Sequence, residues 1–96
     1  EDLKIAPFDK SDLDALMKIE LASFTIPWSR KSYEDAFAMD DIEIWTAKIE
    51  SELVGYMVLQ LVTDEVDLHV LASKPSFRRQ GIARRLMRHM KDLVKA

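Results

Sequence analysis

The stretch Leu53–Val62, "LVGYMVLQLV", is apolar at nearly every position. A strand with one solvent face would alternate, so this run predicts a central strand covered on both faces. Its neighbours are shorter. Ile42–Ile49, "IEIWTAKI", alternates in part, and Val66–Ala72, "VDLHVLA", is the next strand. The connections "ESE" and "TDE" leave no room for a crossover, so the three strands form an antiparallel meander. Upstream, "LKIAPF" is a short strand candidate ended by Pro7. The period then changes. In "DKSDLDALMKIELASF", Leu13, Leu16, Met17, Glu20 and Leu21 follow helical spacing, and Asp9 or Ser11 can cap the start. "TIPWS" breaks the helix, because Pro27 steers Ile26 out of helical geometry. Ser29 caps a second helix, "RKSYEDAFAM", with Tyr33, Phe37 and Ala36 inward. The chain closes with "GIARRLMRHMKDLVKA", where Ile82, Leu86, Met90, Leu93 and Val94 form one side and Arg84, Arg85, Arg88 and Lys91 the other. The order β-α-α-β-β-β-α predicts an α+β fold, an α/β sandwich with helices covering a mostly antiparallel sheet.

Ninety-six residues allow one domain, 1–96, with a small core. The chain has no cysteine, which excludes disulfides, thiolate catalysis and Cys-based zinc sites. Two isolated histidines, His69 and His89, give no basis for a metal site. No apolar run approaches the roughly 20 residues that span a bilayer, so no membrane partner is expected. "EDLKIAPFDK" is acidic and lacks the apolar stretch of a signal peptide, and a cytoplasmic location is the expectation. The net charge of −3 hides an asymmetry. Residues 1–73 hold six Lys/Arg and sixteen Asp/Glu, whereas residues 74–96 hold eight Lys/Arg and one acid, Asp92. A basic block on one element points to an anionic partner there, or to a solvated helix face balanced by the acidic remainder.

That block opens with "SKPSFRRQGIARR". A helix start exposes unpaired backbone N–H groups and the positive end of the helix dipole. Gly81 permits unusual dihedrals and close approach of a ligand, Ala83 keeps the first turn narrow, and Arg78, Arg79 and Arg84 add charge. Together these make a cradle for a diphosphate. The competing reading is a plain strand-to-helix connection with basic caps. The loop lacks the Gly-Lys-Ser/Thr of a Walker loop, and with one glycine it is not the dinucleotide fingerprint.

Arg78, Gly81 and Ala83, preceded by "VLASKPSFRRQ", resemble the acetyl-CoA signature of the GNAT acetyltransferases. That signature is Gln/Arg-x-x-Gly-x-Gly/Ala after a strand and a short proline-containing loop. Leu71, Ala72, Ser73, Pro75, Phe77, Arg79, Ile82 and Leu86 also sit where the family pattern wants them. "IELASFTIPWSRKSYEDAF" is similar to the "E…F…PWS…F" segment of the ribosomal-protein alanine N-acetyltransferase subgroup, through Phe24, Pro27, Trp28 and Ser29. "LVGYMVL" resembles the family's third strand.

The resemblance implies a GNAT-like acyl-CoA N-acyltransferase fold that binds acetyl-CoA as co-substrate and needs no metal. Backbone groups around Arg78, Arg79, Gln80, Gly81, Ile82, Ala83 and Arg84 would take the pyrophosphate. Leu71, Ala72 and Ser73 would pair with the pantetheine arm, and one N–H of that strand would polarise the thioester carbonyl. The acceptor amine must lose a proton. Asp67 stands where many family members carry a glutamate, although it also reads as an outward strand acid. His69 shares the parity of Asp67 and Leu71 and is a weaker candidate. Ile26 and Trp28 would wall the acceptor site, or Trp28 would plug the core.

The family's fold continues beyond this helix with a fifth strand, a further helix and closing strands. In the subgroup the general-base glutamate and the general-acid tyrosine lie there. The expectation is a domain truncated after the pyrophosphate-binding helix: a fragment, a short form completed by another chain, or a form that only binds. The strand Val66–Ala72 would be left as an apolar edge, open to a homodimer or strand exchange. The leading function is an acetyl-CoA-dependent transfer to a primary amine, with a peptide or small amine as acceptor. The alternative is a non-catalytic CoA-binding or protein-interaction module. Nucleic acid is disfavoured, because the domain as a whole is acidic and offers no stacking platform.

Overall fold

The computed structural model describes residues 2–95. Four strands, β1 (Leu3–Pro7), β2 (Ile42–Ile49), β3 (Glu52–Val62) and β4 (Glu65–Ser73), form one sheet in the order β1-β2-β3-β4. Every neighbouring pair is antiparallel. Helices α1 (Leu13–Ser23) and α2 (Arg30–Phe37) cover one face, and α3 (Ile82–Lys95) covers the other. The element order is the one predicted from periodicity.

The local signals explain the boundaries. Asp9 accepts from the Ser11 N–H at 3.0 Å, and the Asp12 side chain accepts from the Asp9 N–H at 2.9 Å, a reciprocal cap. One 3₁₀ turn, Lys10–Asp12, precedes α1. Ser29 caps α2 by accepting from the Ser32 N–H at 3.0 Å. Glu50 and Ser51 both have positive φ, 51° and 70°, and make the two-residue turn that joins β2 to β3.

The strand β3 supplies both cores. Tyr56 and Val58 join Leu16, Ile19, Tyr33 and Val70 under α1 and α2. Met57 and Leu59 join Ala47, Ile82 and Leu86 under α3. Three side chains depart from the helical pattern. Leu21 lies on the solvent side of α1 at 63% exposure while Ile19 is buried, so the buried face of α1 is turned toward Ile19. Val94 is exposed near the end of α3. Phe37 is half-exposed, with its edge against Phe8 at 5.1 Å between ring centroids.

Two irregularities interrupt the strand ladders. The β2–β3 register shifts between Ala47 and Lys48, leaving Val54 as an extra residue. The β3–β4 register passes from Val58 opposite Val70 to Leu59 opposite Leu68, so His69 is the extra residue of a bulge. The bulge undoes the simple parity of the strand. Leu71 packs on the α3 side, whereas Asp67 stands opposite Gln60 on the α1–α2 side.

Candidate active site

The cradle loop starts where β4 ends. The Lys74 N–H donates to the Val54 carbonyl at 2.7 Å, a short turn spans Pro75–Phe77, and the Phe77 ring packs into the α3-side core. Arg78 is extended, and Arg79 and Gly81 then both adopt left-handed backbone, with φ of 68° and 79°. This pair of turns reverses the chain into α3. The first helical hydrogen bond runs from the Arg85 N–H to the Gly81 carbonyl at 3.0 Å. The N–H groups of Ile82, Ala83 and Arg84 therefore precede the helical ladder and face outward from its start. A Cβ on Gly81 would meet no protein atom within 4 Å, so the space above the loop is open. Arg78, Arg79, Gln80, Ala83 and Arg84 are exposed, whereas the Ile82 side chain is buried and can contribute only its backbone.

A glycine not singled out in the sequence seats this loop. A Cβ on Gly55 would lie 2.7 Å from Ile82 Cγ2 and 3.0 Å from the Ala72 carbonyl. Only a bare α-carbon lets the first turn of α3 sit this close to the sheet. The signal was a glycine in the middle of a buried strand.

Leu71, Ala72 and Ser73 belong to β4, which is hydrogen-bonded to β3 on one side and is the last strand of the sheet among the described residues. Leu71 and Ala72 turn their side chains into opposite cores. A ligand beside this edge would meet backbone, whose outward N–H and C=O groups are unpaired as on any edge strand.

Ile26 and Trp28 come to the same strand from the other direction. A cavity of about 180 Å³ lies between Phe24, Ile26 and Trp28 on one side and His69, Val70 and Leu71 on the other, with Glu20 behind. Ile26 is 88% exposed, and Trp28 is half-buried with its ring 5.0 Å from Tyr33. Trp28 thus serves as cavity wall and core plug at once. Asp67 is exposed and does not line this cavity. A larger cavity of about 550 Å³, over Phe8, Leu13, Tyr33 and Phe37, touches none of the candidate cofactor, acceptor or catalytic residues.

Behind the wall sits a buried carboxylate. Glu20 is 1% exposed, Tyr33 and Tyr56 are fully buried, and each tyrosine hydroxyl donates to Glu20 Oε1 at 2.6 Å. The Trp28 backbone N–H donates to Glu20 Oε2 at 2.8 Å. Burial, and then the carboxylate beside them, pushes both phenols well above their ordinary range. The available signal for this hub was an acid at an apolar position of α1.

Comparison with known proteins decides the family. A model of the acetyltransferase (GNAT) family matches residues 13–96. The chain belongs to the GNAT acetyltransferase family. It is 27% identical over 88 residues to the ribosomal protein bS18-alanine N-acetyltransferase of Escherichia coli K12, covering 92% of this chain and 59% of that one. It is 29% identical over 85 residues to a Bacillus subtilis protein described as putatively of the same kind, covering 88% and 56%. The chain thus spans about three fifths of the length of these relatives. The crystal structure of the ribosomal-protein alanine N-acetyltransferase of Escherichia coli superposes with a TM-score of 0.88 at 26% identity, over 97% of this chain and 59% of that one. The PaiA N-acetyltransferase of Thermoplasma acidophilum, crystallised with coenzyme A, superposes at 0.86 and 16% identity over 99% and 73%, a likeness of fold. Among the described residues, no cluster of three or more His, Asp or Glu could hold a metal ion, and no helix is long and apolar enough to cross a membrane.

Proposed function

We propose that this GNAT chain binds acetyl-CoA and takes part in transferring its acetyl group to a primary amine by direct attack on the thioester. The pyrophosphate sits on the N–H groups opening α3, within Arg78, Arg79, Gln80, Gly81, Ile82, Ala83 and Arg84. The pantetheine arm runs along the open edge of β4 at Leu71, Ala72 and Ser73. The acceptor enters the cavity walled by Ile26 and Trp28. The observation that carries this reading is the left-handed pair Arg79 and Gly81, which presents unpaired N–H groups beneath open space. Relatives named for acetylating the alanine of a ribosomal protein favour a protein N-terminal amine as acceptor.

The deciding experiment is a calorimetric titration of the chain with acetyl-CoA, beside Gly81→Val. The expected outcome is saturable binding that the variant loses by tenfold or more while its circular dichroism stays native. Unchanged affinity in the variant removes the cradle assignment. Saturable acetyl-CoA binding with no transfer to any amine would favour the alternative, a non-catalytic CoA-binding or protein-interaction module.

A further inference from the structure

The cavity between Trp28 and β4 contains an ionisable side chain with a defined proton arrangement. We propose that His69 takes the proton from the acceptor amine, and that Gln60 and Asp41 determine which of its nitrogens does so. The inference rests on the acetyl-transfer function proposed for this site and names the group that function leaves open.

The bulge supplies the position. As the extra residue of β4, His69 is turned toward the α1–α2 side, where it lines the cavity beside Val70 and Leu71. Strand rise puts its Cα about 7 Å from that of Leu71, within side-chain reach of a thioester held along the edge. Hydrogen bonding supplies the orientation. His69 Nε2 lies 2.8 Å from Gln60 Oε1, and Gln60 Nε2 donates to Asp41 Oδ2 at 3.0 Å. A carboxylate only accepts, so the amide NH₂ must face Asp41 and the amide oxygen must face the imidazole. His69 Nε2 therefore carries the proton and donates it, and whenever the ring is neutral the lone pair is on Nδ1. The ring thus offers one defined atom, Nδ1, as acceptor.

The other charged groups nearby are less suited. Glu20, from α1, also lines the cavity, but its two oxygens already accept three hydrogen bonds and it is 1% exposed. Asp67, on the same face of β4, is exposed like His69 but lies outside the cavity lining. Asp41, before β2, is occupied by Gln60. Phe24, Ile26 and Trp28 carry no ionisable group. In the step, the ammonium passes one proton to His69 Nδ1, and the freed amine forms a C–N bond to the acetyl carbon. The C–S bond breaks, the departing thiolate takes the second nitrogen proton, and the imidazolium returns its proton to water. One ammonium and one thioester give one amide, one thiol and one released proton.

The test uses the whole chain, acetyl-CoA and a short peptide with a free N-terminus. Imidazole ¹⁵N spectra should show the Nε2-protonated tautomer in the wild type and a mixture in Gln60→Leu. His69→Gln should bind acetyl-CoA as the wild type does, lose about 100-fold or more in kcat with KM little changed, and lose the acidic limb of the pH–rate profile. Gln60→Leu, a change at a positioning residue, should lower kcat several-fold and shift that limb, and Asp67→Asn should leave both in place. An Nδ1-protonated ring in the wild type overturns the proposal. So does a His69→Gln rate within threefold of wild type at every pH. A wild-type chain that binds no acetyl-CoA, or that binds it yet transfers nothing, instead overturns the reading beneath it, and the wild-type titration and rate separate the two failures.

Discussion

The Arg78–Arg84 cradle and the Phe24–Trp28 wall are held in place by opposite means. The cradle is seven consecutive residues shaped by their own backbone, with left-handed turns at Arg79 and Gly81, and it is solvent-exposed apart from Ile82. The wall is held from behind by a carboxylate eight positions earlier and by tyrosines from α2 and β3. On the proposed function, a cradle for phosphate can stay open, because its ligand would complete it. On the same proposal, a wall for an uncharged amine must be rigid before the substrate arrives, because a loose one would let water compete. The difference predicts that mutations in the wall lower stability, whereas mutations in the cradle lower affinity.

Removing the hub should show the largest effect. Glu20→Leu would strand two buried hydroxyls and the Trp28 N–H, at roughly 1–3 kcal/mol each before relaxation. About 4 kcal/mol of stability should be lost, a large part of the 5–15 kcal/mol typical of a domain. Urea denaturation measures it, and a loss below 1 kcal/mol would mean that the wall does not depend on Glu20. The same hub predicts a loss at alkaline pH. The folded tyrosines have raised pKa values, so above pH 10 the unfolded chain ionises its phenols while the folded chain keeps them neutral. The folded state then binds more protons, and stability falls as pH rises. Two such groups contribute up to about 2.7 kcal/mol per pH unit. Stability should be level up to about pH 9.5 and fall beyond pH 10, with a shallower slope in the Tyr33→Phe, Tyr56→Phe double variant.

Gly55 tests whether the cradle is as independent as its contiguity suggests. Gly55→Ala places a methyl 2.7 Å from Ile82 Cγ2, so the start of α3 must shift. About 1–3 kcal/mol should be lost, typical of an overfilled core. Acetyl-CoA affinity should fall as well, although Gly55 lies beneath the loop and cannot touch the ligand. Full affinity alongside lost stability would show that the cradle adjusts with α3 rather than being seated by the sheet.

This contrast also explains what could be read from the sequence. Periodicity carried the element order, since β3 had to be buried on both faces and α3 had to be amphipathic. The turn into α3 was legible because "FRRQGIA" is contiguous and Gly81 marks its own backbone requirement. The wall was only half legible: Ile26 and Trp28 stood out, but what holds them did not. Tyr33 and Tyr56 are separated by 13 and 36 positions from Glu20, and no local pattern links a helix acid to a strand tyrosine. His69 was weighed by strand parity, and parity fails at a bulge. A one-residue register change leaves no mark on composition or period, so the shared face of His69 and Gln60 emerges only once the strands are paired.

Arg78 and Arg84 give the smallest effect and the finest distinction. Both are exposed, so their pull on a diphosphate is screened, and either change to alanine should weaken acetyl-CoA binding only about three- to fivefold at low salt. At several hundred millimolar salt the two losses should shrink together if charge alone matters. Arg78, however, also donates to Ser23 Oγ at 3.1 Å, at the end of α1 immediately before the Phe24–Trp28 wall. It is the one described hydrogen bond between cradle side chains and α1. Arg78→Ala should therefore keep part of its loss at high salt and shift the indole fluorescence of the chain through Trp28, whereas Arg84→Ala should do neither. Identical salt curves and unchanged fluorescence in both variants would mean that cradle and wall are energetically separate, and that an acceptor bound against Trp28 would not sense whether the phosphate site is filled.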